Sequence, residues 1–184
     1  MSHFRIGSHE FLVAVQARAA RVAVGASAIR GQGKGVALPA RNFLASLPLR
    51  EFSTTRRKQF ALRLDARTAE LQRRFPKGTG SWGLARKLLN IFLREALYTT
   101  YLTESYKLAK SEPFLEVPLD SITGKQLCAL PASSLCRWPG VKHLKPDLSA
   151  EYQAVAETHA QAAGISRVHL DALWWGQRKG EHAA

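Results

Sequence analysis

Two long runs of helical apolar spacing meet at a short corner, Phe75-Pro76-Lys77-Gly78-Thr79-Gly80-Ser81. Pro76 ends the first run, because it lacks a backbone N–H and its ring blocks the preceding turn. Gly78 and Gly80 let the chain reach positive φ or approach another segment closely. Ser81 is placed to cap the second run. That run repeats Trp82, Ala85, Leu88, Leu89, Phe92, Leu93 and Ala96 at three- and four-residue steps. Its first turn offers unpaired N–H groups and the positive end of a helix dipole, which suits a phosphate. An ordinary loop entering a core helix reads the same way.

The rest of the chain is also helical in pattern. Helices are expected over Glu10–Val24, stopped by Gly25, over Arg56–Arg74 behind the caps Ser53-Thr54-Thr55, over Ile122–Leu130, Leu148–Ala163 and Ser166–Gly176. Pro39 through Pro48 reads as a short helix or an extended linker. The helix after the corner either runs past Lys107 or breaks near Tyr98–Tyr101, and Leu115–Leu119 reads as short and extended. The fold class is all-α, a compact helical domain spanning 1–184 as a single unit. Cys128 and Cys136 match neither a redox pair nor a zinc knuckle and read as small buried residues in a reducing compartment.

Charge narrows the partner. The 184 residues hold 27 Lys and Arg against 14 Asp and Glu, a net +13. Residues 1–110 carry 20 of the cations and 6 of the acids, whereas 111–184 carry 7 and 8, so a basic N-terminal part joins a near-neutral C-terminal part. A surface of this kind attracts polyanions, nucleic acid first and an anionic membrane surface second. Arg56, Arg57, Lys58, Arg63, Arg67, Arg73 and Arg74 crowd one helix, and Arg30-Gly31-Gln32-Gly33-Lys34-Gly35 makes a basic loop suited to phosphate contact. That loop is not a nucleotide-binding P-loop, since no Ser or Thr follows its lysine. No apolar run approaches the roughly 20 residues that span a bilayer, so no membrane partner is expected. Residues 1–60 resemble a mitochondrial transit peptide in composition but are expected to be part of the fold. A nucleic-acid-bound monomer in the cytoplasm, at the nucleoid and not secreted, is the expected setting.

The order of motifs resembles the helix-hairpin-helix DNA glycosylase superfamily. Its hairpin, of the form Leu-Pro-Gly-Ile-Gly, has a counterpart in Phe75-Pro76-Lys77-Gly78-Thr79-Gly80-Ser81-Trp82-Gly83-Leu84-Ala85. Its downstream aspartate in a Val-Pro-x-Asp context is similar to Val117-Pro118-Leu119-Asp120-Ser121, and its closing helix to Leu173-Trp174-Trp175-Gly176. Lys77 is an extra hairpin residue, the stretch around Tyr98–Ser111 lengthens the spacing to the aspartate, and residues before 55 have no counterpart.

The resemblance implies a DNA-binding N-glycosylase that flips out a modified or damaged base and cleaves its glycosidic bond. Such chemistry needs sequence-blind backbone anchors, an aromatic pocket and one carboxylate near C1′. Asp120 is the expected catalytic residue, although an aspartate there also suits a helix N-cap. Of the aromatic residues Trp82, Trp138, Trp174, Trp175, Tyr98 and Tyr101, the base pocket is assigned to Trp82, Tyr98 and Trp174. Phosphate binding falls to Lys77, Gly78, Thr79, Gly80, Ser81 and Arg86. Bifunctional members carry a lysine nucleophile where this chain has Trp82, so a monofunctional route is implied, with Lys87 the nearby substitute. No cofactor and no metal site are expected: His169 and Asp171, two apart on a helix, point to different faces. The alternative is a non-catalytic nucleic-acid-binding helical module.

Overall fold

The computed structural model describes residues 5–131, 133–135 and 137–180. Among them no strand forms, and the class is all-α as expected. The helices are α1 (His9–Ala23), α2 (Ala37–Ala45), α3 (Arg57–Arg74), α4 (Trp82–Tyr98), α5 (Thr100–Tyr106), α6 (Ser121–Ala129), α7 (Pro146–Ala162) and α8 (Leu170–Gly180), with short 3-10 segments at 49–52, 108–114, 141–143 and 167–169. No described helix is long and apolar enough to cross a membrane.

Local chemistry explains most boundaries. Ser8 caps α1, its Oγ accepting from Phe11 N at 3.2 Å. The Ser53-Thr54-Thr55 caps act at one remove. Arg56 holds the N-cap position without a side-chain bond, while Thr54 Oγ1 accepts from Arg56 N at 3.1 Å and donates to Gln59 at 2.7 Å. The Pro39–Pro48 stretch resolves into α2, with Pro39 tolerated in its first turn. The break near Tyr98 falls at Thr99, which turns extended before α5 begins. The last helix starts later than the apolar pattern suggests and runs on past Gly176.

α4 is the central element. Leu84, Ala85, Leu88, Leu89, Phe92 and Ala96 are fully buried along it. One face joins α1, α2 and α3 in a larger apolar core. Near its start Trp82 packs against a second core built from Val117, Leu119, Leu127, Tyr152, Ala156 and Trp174. Gly83 permits that second contact, because a Cβ there would strike the Val141 carbonyl and Leu144. Gly80, at φ +66°, has no room for a Cβ either, since the Phe75 ring fills the space. The corner is therefore a helix-turn-helix junction with α3 and α4 packed on each other.

Residues 115–119 run extended between the two cores without a neighbouring strand, so side chains meet their backbone. Gln153 accepts from Val117 N at 3.1 Å and donates to Val117 O at 2.8 Å. Arg167 donates to Leu115 O at 3.1 Å and Phe114 O at 3.2 Å. Glu116 is held bidentately by Arg86 of α4, at 2.8 and 2.9 Å, and accepts from Asn90 at 2.9 Å. Arg86 also reaches Asp65 and Thr68 on α3. Burial alone would raise the Glu116 carboxyl. The charge and hydrogen bonds of Arg86, with Arg167 and Asn90 behind them, hold it below the ordinary carboxylate range.

Two outcomes follow. A carboxyl whose folded pKa is depressed contributes stability that is complete above its unfolded value, near 4.3, and drains away as pH falls through the folded one. Glu116→Gln is expected to cost about 3 kcal/mol at neutral pH and to flatten the acid limb of a plot of Tm against pH. Gly83→Ala is expected to cost about 1–3 kcal/mol by overpacking, read by urea denaturation.

Candidate functional site

Two adjoining clefts of about 440 and 150 Å3 lie where α1, α4, α6 and α8 converge. Lys87, Asp120, Trp175, Ser27 and Ala28 line both. The larger opens toward Arg30, Gln32, Trp138 and Gly140, and the smaller toward Ile91, Arg94 and Asp171.

Helical spacing brings the cations in. Lys87, Ile91 and Arg94 are four and three apart on α4 and share one face. Lys87 is buried, and its Nζ donates to the Ala28 carbonyl at 3.1 Å. Burial pulls its ammonium below the ordinary lysine range, and the Asp120 charge opposes that pull without cancelling it. The lysine thus reaches its neutral, nucleophilic form more readily than an exposed one.

Asp120 stands at the end of the extended segment and serves as N-cap of α6. Its Oδ1 accepts from Ile122 N at 2.8 Å and Thr123 N at 3.0 Å. Its Oδ2 makes no hydrogen bond among the described residues, and the side chain lines both clefts. The cap orients the carboxylate without using all of its acceptor capacity. Asp171, also on the smaller cleft, is spent: Arg94 pairs with one oxygen and Thr123 donates to the other at 3.2 Å.

Aromatic rings form the walls. Trp138 stands edge-on to Tyr152, with centroids 5.2 Å apart, and lies flat on α6 where Gly124 leaves no Cβ in its way. Trp175 is 44% exposed at the mouth.

Several expected residues lie elsewhere. Trp82 packs on the second core with Arg86 5.4 Å above its ring. Tyr98 sits three turns beyond Lys87, about 16 Å along the axis, and is stacked on His169, which accepts or donates a 2.9 Å bond to its hydroxyl. Trp174 is buried and stacks on His159, so its neighbour Trp175 takes the cleft. None of the three lines the Asp120 clefts. Arg86 is buried in its ion pairs with Glu116 and Asp65 and is not presented to a phosphate.

The glycine corner does lie close by. Gly78, Thr79 and Gly80 line a third cleft of about 200 Å3 that shares Gln32 with the 440 Å3 cleft. Ser81 caps α4, accepting from Leu84 N at 3.1 Å, and Lys77 is exposed beside it. Among the described residues no three His, Cys, Asp or Glu side chains gather as metal ligands. His169 and Asp171 diverge, to Glu112 and Arg94 respectively. Cys128 is half-buried with its sulfur 3.2 Å from the Tyr152 hydroxyl, and Cys136 lies outside the described residues.

Lys87 was named in the sequence only as the nearby substitute for a hairpin lysine, and its setting in an apolar helix face, between Leu84, Leu88 and Ile91, hinted at its burial. Ser27 and Ala28 gave no signal, and Gln32 was legible only as part of the basic Arg30–Gly35 loop, because only the fold brings the end of α1 against α4.

Lys87 is expected to titrate below the exposed lysines when followed by NMR in protein labelled with nitrogen-15 lysine. Asp120→Asn removes the charge that opposes this shift and is expected to lower the Lys87 pKa further. A Lys87 signal that titrates with the surface lysines would overturn the electrostatic description of the cleft.

No protein-family model matches the chain, and comparison with curated proteins and with solved structures returns no match. The chemistry of the cleft itself therefore carries the functional reading.

Proposed function

We propose that the chain binds double-stranded DNA and acts as a base-excision N-glycosylase, taking a flipped-out modified or damaged base into the Lys87–Asp120 cleft. The observation that supports this is the meeting of a buried lysine of lowered pKa and a part-free carboxylate in one aromatic-walled cavity. A glycine corner adjoins that cavity, in a chain of net charge +13.

The roles follow from charge. Cleaving a glycosidic bond builds positive charge at C1′ and the ring oxygen, and the Asp120 carboxylate stabilises it. Trp138 and Trp175 offer ring faces to the base. With water as nucleophile the reaction ends at an abasic site, the monofunctional route that Trp82 in the hairpin implied. Lys87 beside Asp120 favours a second route. Its neutral amine attacks C1′, the base leaves with the bonding electrons and a proton, and ring opening gives an imine with Lys87.

A non-catalytic nucleic-acid-binding module is the other reading, favoured by the use of Asp120 Oδ1 as a helix cap.

The test is single-turnover excision on duplexes carrying a panel of modified bases. Asp120→Asn is expected to slow base release by about 100-fold or more, with unchanged duplex affinity. Product formation equal to the parent would sink the excision reading and leave the binding module. Borohydride is expected to trap the parent, and not Lys87→Ala, on an abasic duplex. Excision without a trapped adduct would assign the water route.

A further inference from the structure

The loop between α1 and α2 lies outside the hairpin resemblance, yet it builds half of the glycine corner. Gly31, Gln32 and Gly33 face Gly78, Thr79 and Gly80 across the 200 Å3 cleft, and Lys142 borders it on a third side. The two turns touch. Gly80 N donates to the Gln32 carbonyl at 3.3 Å, and a Cβ on Gly33, at φ +94°, would lie 2.9 Å from the Thr79 methyl. At Gly33 only backbone fits against the other turn, so a ligand in this cleft meets peptide groups there beside the Gln32, Thr79 and Lys142 side chains.

The charge around the cleft has one sign. Arg30, Lys34, Lys77 and Lys142 are all exposed at or beside its lining residues. No Asp or Glu occurs in residues 11–50, 71–94 or 121–146, the three stretches that supply the walls. Such a surface has no acid to satisfy its cations internally. Elsewhere the chain pairs them: Arg57 with Glu157, Arg67 with Glu51 and Glu70, Arg86 with Glu116.

The loop is also held in place. Arg41 donates to Val24 O at 3.0 Å at its start, and Lys87 donates to Ala28 O at 3.1 Å in its middle. Gln32 borders both this cleft and the 440 Å3 cleft that Asp120 lines, so the two adjoin.

We propose that the Gly31–Gly33 turn, the Gly78–Gly80 turn and Lys142 form a two-jawed grip for consecutive phosphodiesters of one nucleic-acid strand, with the N-terminal loop as the second jaw. This rests on the nucleic-acid-binding half of the function proposed above and not on excision.

The test uses the full chain and a fluorescein-labelled duplex carrying a central tetrahydrofuran abasic analogue, with affinity followed by anisotropy across a salt series. Lys34→Ala and Lys142→Ala are each expected to reduce the slope of log affinity against log salt by about one, and to weaken binding equally for unrelated sequences. Lys110→Ala, beyond α5, is expected to change neither, and all three variants are expected to keep the parent Tm. Jaw variants that bind with the parent's slope and affinity overturn the grip, as does a parent whose affinity ignores salt. Loss of binding in the jaw variants of a parent that excises nothing sustains the grip and removes the enzyme. Excision by the parent with no effect of the jaw lysines removes the grip alone.

Discussion

The buried pairing of Arg86 with Glu116 is the interaction on which the rest of the site depends. It joins the central helix to the extended segment, and that segment delivers Asp120 to the cleft four residues on. Two charges removed from water are costly unless geometry and extra hydrogen bonds compensate. Here Asn90, Asp65 and Thr68 complete the set. The pairing also explains why Arg86 serves the interior although it sits at the basic end of the chain. A single-residue reading of charge assigns it to phosphate, whereas the fold assigns it to the half-buried Glu116.

The same helix arranges the cleft by degree of burial. Lys87 lies one position past Arg86 and lacks a bidentate partner, having one carbonyl and the Asp120 charge across the cavity. Arg86 is thereby fixed as a cation while Lys87 is left able to lose its proton. Asp120 and Asp171 divide in the same manner: Arg94 and Thr123 occupy Asp171, whereas Asp120 gives one oxygen to α6 and keeps the other. Neighbouring groups of like chemistry acquire different work through what surrounds them, the usual origin of separated acid and base roles.

Much of the architecture was legible in the sequence, for identifiable reasons. The helices carry strong apolar periodicity, and Pro76, Gly80 and Ser81 mark the corner with residues whose local chemistry allows few alternatives. Asp120 was legible as a site residue through the resemblance of Val117-Pro118-Leu119-Asp120, and its place before a helix also suited a cap. The pocket walls were not. Trp174 and Trp175 are adjacent, and the choice between core and cleft turns on about 100° of helical phase, which depends on how α8 is docked. Trp82 follows the corner closely enough to suggest a site residue, but Gly83 lets α4 press onto the 141–144 turn, and the indole is absorbed by packing. Tyr98 was placed by aromatic character alone, without regard to the length of α4. The basic Arg30–Gly35 loop was legible as a phosphate-contacting segment, but its place against the glycine corner is set by tertiary packing.

The extended segment at 115–119 has a further consequence. A strand in a sheet is held by a repeating ladder, and a shift of two residues restores most of its bonds. This segment is held by a side-chain amide at Val117 and a guanidinium at Leu115, each in a single copy. It has no equivalent position to slip to. Asp120 is thereby indexed along the chain axis by two individual residues on α7 and the turn before α8, so an insertion or deletion between 115 and 120 would move the carboxylate out of the cleft without any neighbouring strand to take up the error.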